Sequence, residues 1–342
     1  MNAHARAEVR IFRVPSSGRR KDGQLILDHR GQLYDLSSYL MRRGQPDDLV
    51  ELAESGWFDS AQLTPLLPAP DTGEEPPEAS EADSAADVDA HEDDSSAQEN
   101  RSERPNSEWE KVDLEWDGNA PSDVLTPLKP SRVGKILCLG KNFRAHALEF
   151  GEEVPSEMLF FNKLPETLVP HRATVSIEPG YTRRVDHEAE LVVVIGLAGK
   201  AIAVEDALEH VAGYSVANDL TARSLQGDDR KNGHPWFRSK NMDGFCPFGP
   251  CFIPRDFLAL EDLELSATVN NETRQSSTLG AMVIDVPNAI AQLSSHLTLR
   301  PGDLVLMGTP AGVSALNDGD EVVCSIDGIG SLSTLIHRPA QA

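Results

Sequence analysis

Cysteine is scarce in this chain: four residues in 342, Cys138, Cys246, Cys251 and Cys324, with no CxxC pair among them. That spacing excludes a dense disulfide framework and a thiolate metal knuckle, and it points to reduced thiols in a cytoplasmic setting. Aromatic residues make up only 6% of the chain. No apolar run approaches the roughly 20 residues that a membrane-spanning helix needs. The first residues, MNAHARAEVRIFRVPSS, carry charges where a secretory leader has its apolar segment. Basic residues are also in short supply, 31 against 55 acids, for a net charge of −24. An acidic balance of that size argues against a surface for nucleic acid or anionic membrane.

The acids are unevenly spread. Residues 71–117 hold 18 acids and three bases, so they carry −15 of the total and leave −9 for the rest. Rich in Glu, Asp, Ser and Pro, the stretch 68–120 has too little apolar surface to offset the entropy of ordering it, which predicts an acidic disordered linker. Ahead of it, residues 1–67 read as a small α+β unit. VRIFRV has a strand pattern, QLILDHRGQLYDL a hairpin turning at His29 to Gly31, and Asp47 and Asp48 precede a helical LVELAESG. Beyond the linker, residues 121–342 alternate short apolar runs with turn signals: KILCLG, LVVVIG, GYSVANDL, LELSATVN, DLVLMGTP and EVVCSI. Helical patterns are few, chiefly VEDALEHV and VPNAIAQLSSHL. Strands outnumber helices, so the expected class is α+β and β-rich. An apolar content of 39% suffices for a sizeable core.

One strand begins oddly. In VDHEAELVVVIG, Asp186, Glu188 and Glu190 recur every second residue and so point to one face, while His187, Ala189 and Leu191 point to the other. Carboxylates that close repel, and burying one unpaired costs several kcal/mol by order of magnitude. Something positive must sit among them. A hard divalent cation, Mg2+ or Mn2+, would serve, with Glu188 and Glu190 as two oxygen ligands and Asp219, at the end of GYSVAND, as the third. Asp219 could equally cap a following helix. Just after KILCLG, His146 and Glu149 lie three apart; on a helical turn they would be neighbours, the carboxylate orienting the imidazole as a general base for water. The polar stretch Gly151, Glu152, Glu153 and Pro155 follows, suited to a mobile lid. The remaining histidines are scattered and read as structural, and Cys246 and Cys251 as packed thiols.

Taken in order, ILCLGKNFRAHALEFG, VDHEAELVVVIG, GYSVANDLTARSLQ, WFRSKNMDGFCPFGP, LMGTPAGV and IDGIGSL resemble blocks of the fumarylacetoacetate hydrolase family. The likeness is to its bacterial acylpyruvase and 2-hydroxyhepta-2,4-diene-1,7-dioate isomerase-like branch. It covers about 131–338 closely and the first 67 residues loosely; the acidic insert is not part of the pattern. What it implies is a mixed β-sheet roll as catalytic domain, metal ligands at Glu188, Glu190 and Asp219, and a catalytic pair at His146 and Glu149. It further implies Lys240 near the metal and substrate contacts from Arg223, Gln226 and Thr309; Asp186 shares the metal face but is not a ligand in the family motif, and reads as a residue that supports the ligands or stands at the rim. The implied substrate is a small oxo acid and the implied assembly a homodimer. Hydrolysis of a carbon–carbon bond in an acylpyruvate is the first expectation, because both members of the water-activating pair are present. Decarboxylation or isomerisation of related diacids on the same site comes second. A non-catalytic protein acting through the acidic linker is the rival of another class, and a calcium module lacks its twelve-residue loop.

Overall fold

The computed structural model describes residues 8–16, 23–68, 109–115 and 119–339. Most of the expected linker, 69–108, lies outside the described residues. Among them no helix is long and apolar enough to cross a membrane.

Two sheets form the body. The larger follows the order Gln32–Asp35, Gln24–His29, Val9–Val14, Cys246–Pro254, Val211–Asn218, Ala189–Ile195, Leu304–Leu306, Ile136–Gly140 and Leu159–Lys163, with short Leu168–Val169 paired to Cys246–Pro254. The smaller runs Glu272–Thr278, Glu264–Val269, Glu321–Ile326, Gly330–His337 and Ala173–Ser176. The β-rich α+β class is as expected. Strands of the amino-terminal unit join the large sheet directly, Ile11 opposite Phe252. Their hairpin turns at Arg30 and Gly31, both at positive φ (54° and 91°), as a tight two-residue loop requires. Asp48 caps the helix Leu49–Glu54 through the amides of Val50 and Glu51.

Alternation along the central strand decides what each face does. Leu191, Val193 and Ile195 belong to a core shared with Leu265, Val322 and Leu332 of the second sheet. Val192 and Val194 belong instead to a core shared with Ile11, Leu40, Trp57 and Phe252, where the amino-terminal helices cover the sheet. Glu188 and Glu190 have the parity of this second face, beyond its apolar part.

Two local expectations change. VEDALEHV forms a 3₁₀ segment, Val204–His210, and not an α-helix. Seven residues return little of the cost of helix nucleation, and Val204 and Leu208 stay 43% exposed, so no apolar face pins a longer helix. Within the expected linker, the described residues 109–115 pack against the amino-terminal unit. Trp109 stacks on Tyr39 with ring centroids 3.8 Å apart, its indole N–H donates to the Leu66 carbonyl at 2.8 Å, and the Val112 amide donates to Leu33. An aromatic anchor inside an acidic stretch outweighs the composition around it. Trp109→Ala is expected to lower unfolding free energy in urea by about 3 kcal/mol; a loss under 1 kcal/mol would mean that this strap contributes no packing.

Candidate active site

Register builds the site. The strands Ala189–Ile195 and Val211–Asn218 pair antiparallel with Ala189 opposite Asn218 and Glu190 opposite Ala217, so the start of one meets the end of the other. The Asp219 amide then donates to the Glu188 carbonyl at 2.8 Å. As a result one oxygen each from Glu188, Glu190 and Asp219, all buried, lies within 4.8 Å of the others. Asp186 precedes the ladder and is tied to Thr221 by reciprocal backbone bonds.

Much of the positive charge these acids require comes from the chain itself. Asp219 does not cap the next helix, Arg223–Lys231, whose N-cap is Ala222. Lys163 Nζ holds its Oδ1 at 2.7 Å and Lys240 Nζ its Oδ2 at 2.5 Å. Lys240 also donates to Glu188 at 2.8 Å, and the Arg223 guanidinium spans the other Glu188 oxygen and Asp186, the latter at 2.9 Å. Arg184 pairs with Asp186 at 2.6 Å. Despite burial, Lys240, Arg223 and His146 hold the Glu188 carboxyl well below the usual carboxylate range.

Glu190 is the exception. Its one hydrogen-bond partner among the described residues is the Gly308 amide, 2.7 Å from Oε2. Burial, then Asp219 and Glu188, push its carboxyl far above the ordinary range. Gly308 reaches it because it has no side chain: φ is 86°, and a Cβ there would stand 2.8 Å from that of Asn142. Three converging hard oxygens, one of them without a cationic partner, fit a divalent cation of the magnesium or manganese kind. Soft coordination does not fit: burial keeps the thiols that feel these carboxylates protonated, pushing Cys246 up to about 12.

The acid–base group hangs over this cluster. Helix Arg144–Glu149 follows the strand Ile136–Gly140, and Asn142 fixes the connection by donating to the carbonyls of Ile284 and Met307 and accepting from the Ile284 amide. His146 Nδ1 lies 3.2 Å from Glu149 Oε2, and Glu149 also accepts from the Gly312 amide at 3.2 Å. Burial lowers the pKa of His146, so the ring is neutral at pH 7. With Nδ1–H assigned to Glu149 from this bonding pattern, Nε2 keeps its lone pair.

His146, Glu188, Glu190, Arg223, Gln226, Lys240 and Thr309 line one cavity of about 370 Å3. Asp219 sits behind its wall, and Glu149 reaches His146 from outside the lining. Gln226 accepts from Arg223 at 2.6 Å, and Thr309 Oγ1 accepts from Gln275 at 2.7 Å. All nine residues expected from the sequence therefore fall in one place. Sequence reasoning missed Lys163, and also Phe161, whose ring lies 4.7 Å from Lys240 Nζ. Their signal was the period of two in FFNK, which gives Phe161 and Lys163 one face. His187 is a satisfied buried histidine, bonded to Gln275 and Ser314 at 3.0 Å each.

A buried acidic triad beside a carboxylate-oriented imidazole, on a mixed two-sheet fold, is the equipment of an acid–base enzyme. Residues 135–337 match the family described as fumarylacetoacetate (FAA) hydrolase C-terminal, and the chain belongs to that family. It is 39% identical over 218 residues to the oxaloacetate tautomerase YisK of Bacillus subtilis, covering 61% of this chain and 70% of that one. Fumarylacetoacetate hydrolase of Exiguobacterium antarcticum superposes with a TM-score of 0.70 at 28% identity, covering 97% of this chain and all of the other. Fumarylpyruvate hydrolase of Pseudomonas aeruginosa, solved with Mn2+ and pyruvate, gives 0.59 at 34% identity, over 67% of this chain and 96% of the other.

Glu190→Gln keeps the shape and neutrality of the protonated acid and an oxygen for the Gly308 amide. In chelator its melting temperature is expected to equal or exceed that of the parent, while the rise that Mn2+ produces in the parent disappears. A rise equal to the parent's in the variant would remove Glu190 from the ligand set.

Proposed function

We propose that this enzyme binds a divalent cation at Glu188, Glu190 and Asp219 and hydrolyses a carbon–carbon bond in an acylpyruvate or related β-diketo acid. The supporting observation is a neutral His146, oriented by Glu149, lining the same cavity as Glu188 and Glu190. When bound, the cation supplies Lewis acidity toward an enolate oxygen. The Arg223 and Lys240 cations receive the substrate carboxylate and face the charge that develops beside it. His146 Nε2 takes a proton from water as that water adds to the distal carbonyl. The bond between that carbonyl carbon and its neighbour then breaks, its electron pair leaving as the enolate of pyruvate, and the proton held at His146 returns to carbon. A free carboxylic acid and pyruvate result. Glu149 acts by holding the ring and stabilising its charged form.

Tautomerisation of an oxaloacetate-type acid is the second reading, and the 39% identity to an oxaloacetate tautomerase favours it. There the same nitrogen would shuttle a proton between oxygen and carbon with no bond to water. A cytoplasmic homodimer completes the reading.

Assays of acylpyruvate cleavage and of enol-to-keto conversion of oxaloacetate, with Mn2+ or with chelator, separate these chemistries. His146→Ala is expected to lower hydrolytic kcat about 10²-fold or more while changing KM little; undiminished hydrolysis would discard His146 as the base. Tautomerisation without cleavage of any acylpyruvate would put the second reading first. Burial lowers the His146 pKa, and the protonated ring cannot act as base. Rates should hold as pH falls through 6.5 and decline only below it, whereas a decline beginning above pH 7 would contradict a buried neutral histidine.

A further inference from the structure

The helix Arg223–Lys231 runs along the cavity and sets four of its side chains into the lining: Arg223, Gln226, Arg230 and Lys231. Arg223 serves Glu188, but Arg230, seven residues on, stands about 10 Å further along the helix axis. There Arg230 meets Glu152, which also pairs with Lys141, and all three line the cavity. Glu152 has 15% of its side chain exposed and Lys141 25%. Although partial burial works against ionisation, Lys141 and then Arg230 hold the Glu152 carboxyl below its ordinary range. Lys231, on the same wall, has no ion pair among the described residues. Two cations, Lys141 and Arg230, thus face one carboxylate, with 60% of the Arg230 side chain open to solvent. Lys141 adopts a φ of 58°, a left-handed conformation unusual for a residue with a side chain. The firmly bonded Asn142 follows it in the chain.

We infer that Lys141 and Arg230 form a subsite for a second, distal carboxylate of the substrate, and that Glu152 occupies it as the chain's own placeholder until substrate displaces it. The inference rests on the oxo-acid reading above. Glu152 also ties the subsite to the base: its amide donates to the Ala147 carbonyl at 3.0 Å, at the end of the helix that carries His146. A substrate carboxylate offers Lys141 and Arg230 the same charge-assisted hydrogen bonds that Glu152 gives them.

The test uses the full chain with Mn2+ and two ligands that differ only at the far end, fumarylpyruvate and its distal methyl ester. Affinities come from calorimetry and turnover from a separate assay. The parent is expected to bind the diacid about tenfold more tightly than the ester, as two charge-assisted hydrogen bonds allow. In Lys141→Met/Arg230→Met that ratio should fall to about one. In Glu152→Gln, where the internal competitor loses its charge, the ratio should rise. Equal affinities in the parent, or a ratio unmoved in all variants, would overturn the subsite and leave Glu152 a simple latch. Failure of the hydrolase reading looks different: both ligands bound with the expected preference and neither turned over.

Discussion

Asp219 carries one ammonium group on each carboxylate oxygen, Lys163 at 2.7 Å and Lys240 at 2.5 Å, with all three side chains buried. Ions so placed are tolerated only when every charge is answered, because removing one partner leaves the other stranded in a medium of low polarity. The arrangement also joins three parts of the fold. Lys163 ends the edge strand of the large sheet, Asp219 follows an inner strand, and Lys240 ends the short helix Phe237–Lys240, whose terminal carbonyl accepts from Lys163 at 2.5 Å. With two cations spent on Asp219, and Lys240 and Arg223 shared with Glu188, Glu190 is the acid of the triad that makes no ion pair among the described residues. Held by the Gly308 amide and pushed far above the ordinary carboxyl range, Glu190 is the member of the cluster whose ionisation a divalent cation would favour.

Rigid and movable parts divide clearly around it. The triad stands on paired strands with an apolar core on both faces, where opening costs most. The imidazole stands on a six-residue helix hung from Asn142, Gly312 and the pairs of Glu152. A base held by a few polar ties can shift when a ligand replaces one of them, while the carboxylates stay in place.

The sequence shows much of this and misses the rest for definite reasons. LVVVIG and its acids display both the strand and the facing of its carboxylates, because period-two alternation is a local property. The likeness of six blocks to one family fixes positions such as Gln226 and Thr309 that no local pattern singles out. For Lys163 the local period of two shows the face but not the partner, which lies 56 residues away and is brought to it by the register of the edge strand. Composition predicts a linker through position 120, and it does not reveal that the indole of Trp109 within that stretch stacks on Tyr39. The stretch after Phe150 reads as a lid, and that Glu152 meets Lys141 and Arg230 there follows from how a helix and a strand end converge, which spacing does not encode.

A direct check on the metal centre is anomalous diffraction from crystals grown with Mn2+. One peak per chain is expected among the carboxylates of Glu188, Glu190 and Asp219, with Lys163 still paired to Asp219. A peak bound elsewhere, or none at saturating Mn2+, would contradict the reading of Glu190 as the acid that awaits a cation.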